Sequence, residues 1–247
     1  MTNGTVAFDP KPDLRWMFCF AHPDDEVAIA AWMRRLVLNG NPVRCLWLHS
    51  TEVREAESRL AMRQIGVPDD ALRFWRGTDG SLVDEMGELL PQLDAQVQEF
   101  QPDRMAVMAF EQGHLDHDAA NYMVSRAFEG VVCEFPMYYA YYRAFQHLNQ
   151  FAQPDGEERL SLTPEETELK RALPRLFPSQ TMARNLFWYN IAQRLIGRNL
   201  QLDTRELMRL KLATDYRTPN LPPEIAQKVA ASKLWARWLS ALDKLAD

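Results

Sequence analysis

Residues 16–26 read WMFCFAHPDDE, an apolar run that gives way at once to a histidine, a proline and three acidic side chains. A short, near-continuous apolar run of this kind is typical of a strand that is buried on both faces of a parallel sheet. Carboxylates at the end of a buried strand are costly unless they pair or bind a cation. The stretch therefore predicts a buried strand that ends in a charged functional site.

The same pattern recurs along the first half of the chain and indicates the fold class. Buried strands are predicted at Trp16–Ala21, Val43–His49, Arg104–Phe110 and Val131–Phe135. Helical patterns separate them, at Asp25–Leu38, Glu52–Ile65, Asp84–Phe100 (with a kink or break at Pro91) and Asp116–Glu129. Alternating strands and helices favour an α/β fold, with a Rossmann-like, mostly parallel sheet and helices on both faces.

The second half of the chain has a different character. Residues 136–151 are rich in aromatic side chains and are predicted to form a loop or cap whose role is left open. From Pro164 onward the pattern is helical, with breaks near Pro174, Pro178, Gly197 and Pro219, and a last helix from Pro222-Pro223 to about Leu245. We therefore expect a domain over residues 1–180 and a helical C-terminal extension over 181–247 that packs on the same domain.

Composition excludes several classes of function. The 247 residues are 47% apolar and carry a net charge of −6 without a basic block, which disfavours nucleic acid and anionic membranes as partners. No signal peptide and no membrane span are predicted. Cys19, Cys45 and Cys133 lie in strand-like runs, so we expect free, buried thiols and a cytoplasmic protein. The sequence leaves open whether the chain forms a homo-oligomer.

A second cluster of metal-ligand residue types, His114-Leu115-Asp116-His117, follows the third apolar run. Parallel sheets bind ligands beyond the carboxyl ends of their strands, where both clusters are expected to meet. His22 and Asp25, three residues apart, and His117 from the second cluster would then hold one divalent cation. Two imidazoles and one carboxylate leave a coordination position for water, as in catalytic zinc sites. Such a ligand set also accepts Fe²⁺ or another divalent metal.

The remaining polar residues of the clusters are assigned catalytic roles. Asp24 adjoins a ligand without being needed as one, so it is the candidate general base. His114 lies one helical turn before His117 and could face the reacting carbonyl, stabilise an oxyanion and protonate a leaving amine. Asp116 is expected to pair with His114 and to favour its charged form.

These residues also have other interpretations. Taken alone, either cluster could be a solvated loop or a helix N-cap, since carboxylates favour helix N-termini. Their joint occurrence at two strand ends favours the metal site. The two remaining histidines, His49 and His147, are expected in packing or at the surface, although His49 could also contact substrate.

The motifs Ala-His-Pro-Asp-Asp-Glu (21–26) and Gly-His-Leu-Asp-His-Asp (113–118) resemble those of the PIG-L/LmbE-like family of zinc-dependent N-deacetylases. The resemblance covers roughly residues 14–180 and includes Lys170 and Ser179-Gln180. It implies the same ligands, base and electrophilic histidine. It further implies that Arg54 and Asp79 hold substrate hydroxyls or a charged group, although an ordinary ion pair and a turn would also explain these two residues.

We therefore expect a metal-dependent amide hydrolase in which a zinc-bound water attacks an acetamide and Asp24 acts as the base. The resemblance favours a small-molecule substrate, an N-acetylated amino sugar or glycoside. The alternatives are a deacylase of a non-sugar N-acyl compound and a non-catalytic, metal-containing module that binds a ligand. A nucleotide-binding Rossmann domain is disfavoured, because His-Pro-Asp-Asp-Glu replaces the glycine-rich phosphate loop.

Overall fold

The computed structural model describes residues 6–141, 147–195, 197 and 202–246. Within these residues, seven strands form one sheet in the order β3-β2-β1-β4-β5-β7-β6. The strands are β1 (Trp16–Phe20), β2 (Val43–Trp47), β3 (Leu72–Phe74), β4 (Arg104–Met108), β5 (Val131–Phe135), β6 (Glu158–Ser161) and β7 (Arg205–Leu210). The first five are parallel, and β7 runs antiparallel to both β5 and β6. The predicted Rossmann-like, mostly parallel sheet is confirmed.

Eight α-helices surround the sheet in the described part of the chain. They are α1 (Ala30–Leu38), α2 (Glu52–Ile65), α3 (Leu82–Phe100), α4 (Leu115–Ala127), α5 (Pro164–Ala172), α6 (Met182–Leu195), α7 (Pro223–Ala230) and α8 (Lys233–Ala246). One group contains α1, α2 and α5, and a second contains α3, α4 and α8. Every residue of β1 and β4 is buried between such layers, which explains their unbroken apolar sequences.

The strand order determines where the loops that follow β1 and β4 lie. β1 pairs with β2 on one side and with β4 on the other, so the chain leaves β1 and β4 toward opposite halves of the sheet. This reversal is the switch point at which open α/β sheets form a crevice for ligands. Both acidic-histidine clusters lie there, at the carboxyl ends of β1 and β4.

The predicted helices differ from the observed ones mainly at their ends. The segment predicted as one helix from Asp25 begins as a 3-10 helix, Asp25–Ile29, and continues as α1. The kink or break predicted at Pro91 does not end α3, which continues through that residue to Phe100.

The predicted C-terminal helices are present after residue 180, as α6, α7 and α8, and one strand that was not predicted also lies in this region. This strand, β7, lies between β5 and β6 in the sheet. The last helix is interrupted after Ala230, where the Ser232 hydroxyl accepts a hydrogen bond from the Trp235 N–H at the start of α8. The boundary at residue 180 stays a prediction.

Other expectations concern single segments. The three cysteines are free and buried, as predicted. Of the aromatic segment 136–151, residues 142–146 lie outside the described residues, and the remainder forms loops. Among the described helices, none combines the length and the apolarity needed to cross a membrane.

Candidate metal centre

The loop after β1 is built around Asp24, which adopts a left-handed conformation with φ of 108°. The buried Glu26 carboxylate holds this loop in place. It accepts hydrogen bonds from the Asp24 N–H (2.8 Å), the Trp47 indole N–H (3.1 Å) and the Ser58 hydroxyl (2.5 Å). Because Trp47 ends β2 and Ser58 lies on α2, these contacts tie the loop to two neighbouring elements.

Asp25 points toward the second cluster. One of its oxygens accepts the His22 backbone N–H at 2.8 Å, and the other lies 3.2 Å from Nε2 of His117. Burial alone would favour the neutral acid, but the charges of His117 and His22 outweigh it and lower the pKa of Asp25 to about 2. The side chain is therefore a carboxylate whose oxygen lies close to an imidazole nitrogen, as two ligands of one metal ion would lie.

His22 lies between further carboxylates. Its Nε2 is 2.9 Å from Asp116 Oδ2 and 3.3 Å from Asp79 Oδ1, and its Nδ1 is 3.9 Å from Asp25. Burial lowers the pKa of His22, but the hydrogen bonds with Asp116 and Asp79 outweigh it and raise the pKa to about 10. The ring therefore lies in a strongly negative environment, which also suits a bound cation.

The second cluster begins α4. His114 is the N-cap residue, and its Nδ1 accepts the Asp116 N–H at 3.1 Å. The ring centroids of His22, His114 and His117 lie 5.1–5.8 Å apart, and one ligand nitrogen from each ring lies within 4.8 Å of the others. Burial and the nearby His117 and His22 lower the pKa of His114 to about 4, so this ring is neutral near pH 7.

These donors fit a divalent metal ion. Imidazole nitrogens and an ionised carboxylate converge from two strand ends, and these are the donor types that zinc and Fe²⁺ prefer. A second group of ligand atoms, from His22, Asp79 and Asp116, also lies within 4.8 Å of one another. The convergence of His22, Asp25 and His117 agrees with the predicted geometry, and their assignment as metal ligands stays a prediction.

The predicted pairing of Asp116 with His114 is wrong. The Asp116 carboxylate accepts the Gly80 N–H at 2.7 Å and the Leu82 N–H at 3.0 Å, and it contacts His22. Only the backbone of Asp116 bonds the His114 ring. Its carboxylate therefore fixes His22 and the start of α3, and the predicted charged form of His114 is not favoured.

The Asp24 side chain lies beside Arg54. Its Oδ1 lies 3.7 Å from the Arg54 guanidinium, which donates to the Pro23 carbonyl (2.8 Å) and to Asp79 (3.2 Å). Burial, followed by the charge of Asp25, raises the pKa of Asp24 well above its usual value, with Arg54 opposing this. Arg54 is buried, whereas the Asp79 side chain is 56% exposed and accessible to a ligand.

A cavity of about 650 Å³ opens above the site. Seven of the eight predicted site residues line it, namely His22, Asp24, Asp25, Arg54, Asp79, His114 and His117. Asp116 is fully buried beneath them. His49 is buried, and its Nδ1 contacts the Gly77 carbonyl at 2.5 Å, so packing explains it.

Two residues were missed as parts of the site. No separate role was predicted for Glu26, although its hydrogen bonds fix the conformation of the loop after β1. Tyr138 lines the cavity, with its ring 5.4 Å from that of His117. The only sequence feature that pointed to Tyr138 was its place in the aromatic segment. Sequence spacing does not reveal that the Tyr138 backbone packs against Gly113, next to His114.

Comparison with known proteins supports the resemblance. The family model of PIG-L, described as GlcNAc-PI de-N-acetylase, matches residues 17–128. No curated protein sequence matches the chain.

Solved structures share the fold at low sequence identity. A deacetylase from the teicoplanin biosynthetic pathway is 20% identical, with a TM-score of 0.61 over 81% of this chain and 99% of that one. The N,N'-diacetylchitobiose deacetylase from Pyrococcus horikoshii is 15% identical, with a TM-score of 0.53 over 81% and 84%. A 4-carboxy-2-hydroxymuconate hydratase from Pseudomonas putida is 15% identical, with a TM-score of 0.52 over 85% and 100%. The fold is thus found in deacetylases and in a hydratase.

Proposed function

Because residues 17–128 match the family model of PIG-L, we propose that this chain is a metal-dependent amide hydrolase that removes the acetyl group from an N-acetylated amino sugar or glycoside. One observation carries the proposal. Donor atoms from the ends of β1 and β4 converge at the base of a cavity large enough for a small-molecule substrate. The fold alone would not support this proposal, because proteins that share a fold can have unrelated activities.

The residues proposed to hold the metal are His22, Asp25 and His117. Their support is the 3.2 Å contact between Asp25 and His117 and the ionised state of Asp25. Zinc is the favoured ion, and Fe²⁺ suits the same donors. A divalent cation bound there would polarise the amide carbonyl and acidify a water molecule.

Asp24 is proposed as the general base. It lies on the cavity wall, is not required as a ligand, and has a raised pKa that suits a group taking up a proton. Having removed a proton from the attacking water, Asp24 can return it to the nitrogen as the C–N bond breaks. The products are then acetic acid and the free amine, and transfer of the remaining carboxyl proton to the amine gives acetate and the ammonium ion, with all protons accounted for.

His114 is proposed to stabilise the oxyanion as a neutral hydrogen-bond donor. Since its Nδ1 accepts the Asp116 N–H, the ring proton lies on Nε2 and is free to be donated. Its low pKa makes it a poor source of a proton for the amine. Asp116 acts through His22, and the exposed carboxylate of Asp79 is proposed to bind substrate hydroxyls, with Arg54 positioning Asp79 and Asp24.

The substrate is proposed to be a small molecule rather than a nucleic acid. The free, buried cysteines are consistent with a cytoplasmic location. A deacylase of a non-sugar N-acyl compound, or a metal-containing module without catalysis, would share the same donors and is distinguished by experiment.

The test is an assay of free amine release by metal-replete protein, over N-acetylhexosamine conjugates and N-acyl amino acids, with a chelator-treated control. We expect hydrolysis of the sugar conjugates, and an Asp24→Asn variant at least about 100-fold slower with unchanged metal content. The exposed Asp70→Asn serves as the matched control and should retain full activity.

The outcomes separate the alternatives. Activity within a few-fold of wild type in Asp24→Asn would refute the assignment of the base. Hydrolysis confined to N-acyl amino acids would indicate the non-sugar deacylase. Metal-loaded protein that hydrolyses nothing would indicate the non-catalytic module.

A further inference from the structure

The loop between β3 and α3, residues 75–81, carries two groups that the proposed site uses. Asp79 lines the cavity, and the next residue, Gly80, donates its N–H to the Asp116 carboxylate at 2.7 Å. The Leu82 N–H at the start of α3 donates to the same carboxylate at 3.0 Å. The conformation of the 75–81 loop therefore sets the position of the carboxylate that is proposed to bind substrate hydroxyls.

The backbone at Gly80 is the part of this loop that most needs external support. Gly80 has a positive φ of 74°, and glycine adopts more backbone conformations than any other residue. The backbone can therefore turn there at little cost unless other groups hold it. Asp116 holds the N–H of Gly80, and a partner for its carbonyl comes from the far end of the chain.

That partner is Arg237, on the C-terminal helix α8. Its Nη1 donates to the Gly80 carbonyl at 3.0 Å, and its Nη2 donates to the Ser81 hydroxyl at 3.2 Å. The Asp84 carboxylate fixes the orientation of the guanidinium by accepting from Nε at 3.1 Å and from Nη2 at 2.5 Å. One planar group thus bonds the end of the 75–81 loop and the first turn of α3.

Helix α8 provides a fixed support for this side chain. Trp235 and Trp238, on either side of Arg237, are buried in the core. The Trp238 indole N–H also donates to the Tyr216 carbonyl at 2.8 Å. The backbone at position 237 is therefore anchored, although it lies well beyond residues 17–128, which match the family model.

Stability alone does not explain these contacts. The side chains of Arg237 and Asp84 are 35% and 41% exposed, and ion pairs at such positions contribute little to stability. A cation beside the N-terminus of α3 is also disfavoured by the helix dipole. The main consequence of the contacts is therefore the geometry of the 75–81 loop.

We propose that Arg237 is a positioning residue that holds the backbone at Gly80 so that Asp79 faces the substrate. This inference rests on the proposed function, in which Asp79 binds substrate hydroxyls, and it adds a role for the C-terminal helix. Arg237 is not among the cavity-lining residues in the described part of the chain, so it acts through Asp79. Because Asp79 binds the substrate without reacting, we expect KM to change more than kcat.

The first test is kinetic and uses the most rapidly hydrolysed N-acetylhexosamine conjugate of the amine-release assay. Arg237→Gln should raise KM about tenfold and leave kcat within about threefold of wild type, since small displacements of a positioning group are costly. Arg217 supplies the matched control, because it pairs with Asp243 of the same helix at 2.7 Å and is exposed. Arg217→Gln should leave both constants unchanged.

A double variant shows whether Arg237 acts through Asp79. Asp79→Ala alone should raise KM at least as much as Arg237→Gln does. Adding Arg237→Gln to Asp79→Ala should then raise KM by less than about twofold more, because the group that Arg237 positions is already absent. A purely structural effect of Arg237→Gln would instead raise KM equally in both backgrounds.

Hydrogen exchange provides a readout without catalysis. Exchange of the Gly80 N–H with solvent measures how often its bond to Asp116 opens. In an NMR measurement, Arg237→Gln should speed this exchange about tenfold, whereas Arg217→Gln should not change it. The Val107 N–H, in the buried strand β4, should exchange at the wild-type rate in both variants.

The outcomes separate this inference from the proposed function. Wild-type hydrolysis with an unchanged KM in Arg237→Gln, or with equal effects of that substitution in the two backgrounds, would overturn the positioning role and leave the proposed function standing. If the wild type hydrolyses nothing, the proposed function fails and exchange of the Gly80 N–H decides the rest. Exchange that Arg237→Gln does not alter would then refute the support of the loop by α8 as well.

Discussion

The opposite behaviour of two adjacent carboxylates, Asp24 and Asp25, follows from one backbone conformation. A non-glycine residue with positive φ costs on the order of 1–3 kcal/mol and persists only when its surroundings enforce it. Here the buried Glu26 carboxylate accepts the Asp24 N–H and supplies that constraint. The turn directs Asp25 toward His117 and Asp24 toward Arg54. Their pKa values move apart, one down and one up, which is the arrangement expected of a ligand beside a base.

Glu111, which is not one of the proposed metal ligands, leads to a prediction about how the stability of the protein depends on pH. It is buried, its Oε1 accepts the Ala152 N–H at 2.7 Å, and its Oε2 has no hydrogen-bond partner among the described residues. Burial raises the pKa of Glu111 to about 8, with Arg209 only partly offsetting this. Between its ordinary pKa of about 4.5 and pH 8, the folded protein therefore retains a proton that the unfolded chain has lost. This group makes the free energy of unfolding fall as pH rises through that window.

Glu111→Gln should remove this loss of stability. We expect the variant to gain about 1–3 kcal/mol relative to wild type at pH 8, and to differ little at pH 4.5. Urea denaturation of both proteins at the two pH values measures the difference. A gain of equal size at both pH values would show that Glu111 does not titrate as described.

At the site, residue types and their approximate positions could be predicted, but individual partners could not. Two clusters at strand ends were sufficient to bring His22, Asp25 and His117 together. The partner of Asp116 could not be predicted, because its carboxylate binds N–H groups of Gly80 and Leu82, which are remote in sequence. Side-chain direction at a helix start depends on such tertiary contacts, which sequence spacing does not encode.

Among the elements, those with local signals were predictable. Helix α2 has the predicted bounds because the Thr51 side chain caps its start and Gly66, with φ of 101°, ends it. Strand β7 was missed because its sequence, RELMRL, places Glu206 and Arg209 in the interior. Their charges are compensated by Lys170 and Glu134 from distant segments. A strand stabilised by such pairs lacks the apolar pattern on which the prediction depends.

A substitution at Gly113 tests how closely the loop that carries Tyr138 packs against the residues before α4. A Cβ atom at position 113 would lie 1.8 Å from the Tyr138 carbonyl oxygen, so the backbone of one segment would have to move. Gly113→Ala should therefore destabilise the fold by about 2–4 kcal/mol and reduce amide hydrolysis, since the shift occurs next to His114. Thermal unfolding and the amine-release assay measure both effects.

Gly87 supplies the control for that variant. It lies exposed in α3, and a Cβ there would meet Leu245 Cδ2 at 3.4 Å, an ordinary contact. Gly87→Ala should increase stability by about 0.5–1 kcal/mol through helix propensity and leave activity unchanged. Similar melting temperatures for the two variants would show that Tyr138 does not pack closely on Gly113.

Across the whole molecule, three segments that are distant in sequence meet at the start of α1. The Glu206 carboxylate of β7 accepts the N–H groups of Ala31 and Trp32 at the start of α1, each at 2.8 Å. A carboxylate at that position also interacts favourably with the helix dipole. A residue after position 180 thus stabilises the helix that follows the first motif.

Lys170 completes this junction and provides the final prediction. Its ammonium group donates to the carbonyls of Val27 (2.5 Å) and Ala28 (2.8 Å) and pairs with Glu206 at 2.8 Å, and both side chains are buried. Lys170→Met would leave a buried carboxylate without its cation and two carbonyls without their donor. We expect a loss of about 3–5 kcal/mol in the free energy of unfolding, measured by urea denaturation. The neighbouring Arg171 pairs with Asp203 at an exposed position, so Arg171→Met should cost less than about 1 kcal/mol. Equal losses in the two variants would mean that the junction contributes no more than a surface ion pair, and that α1 holds its position without β7.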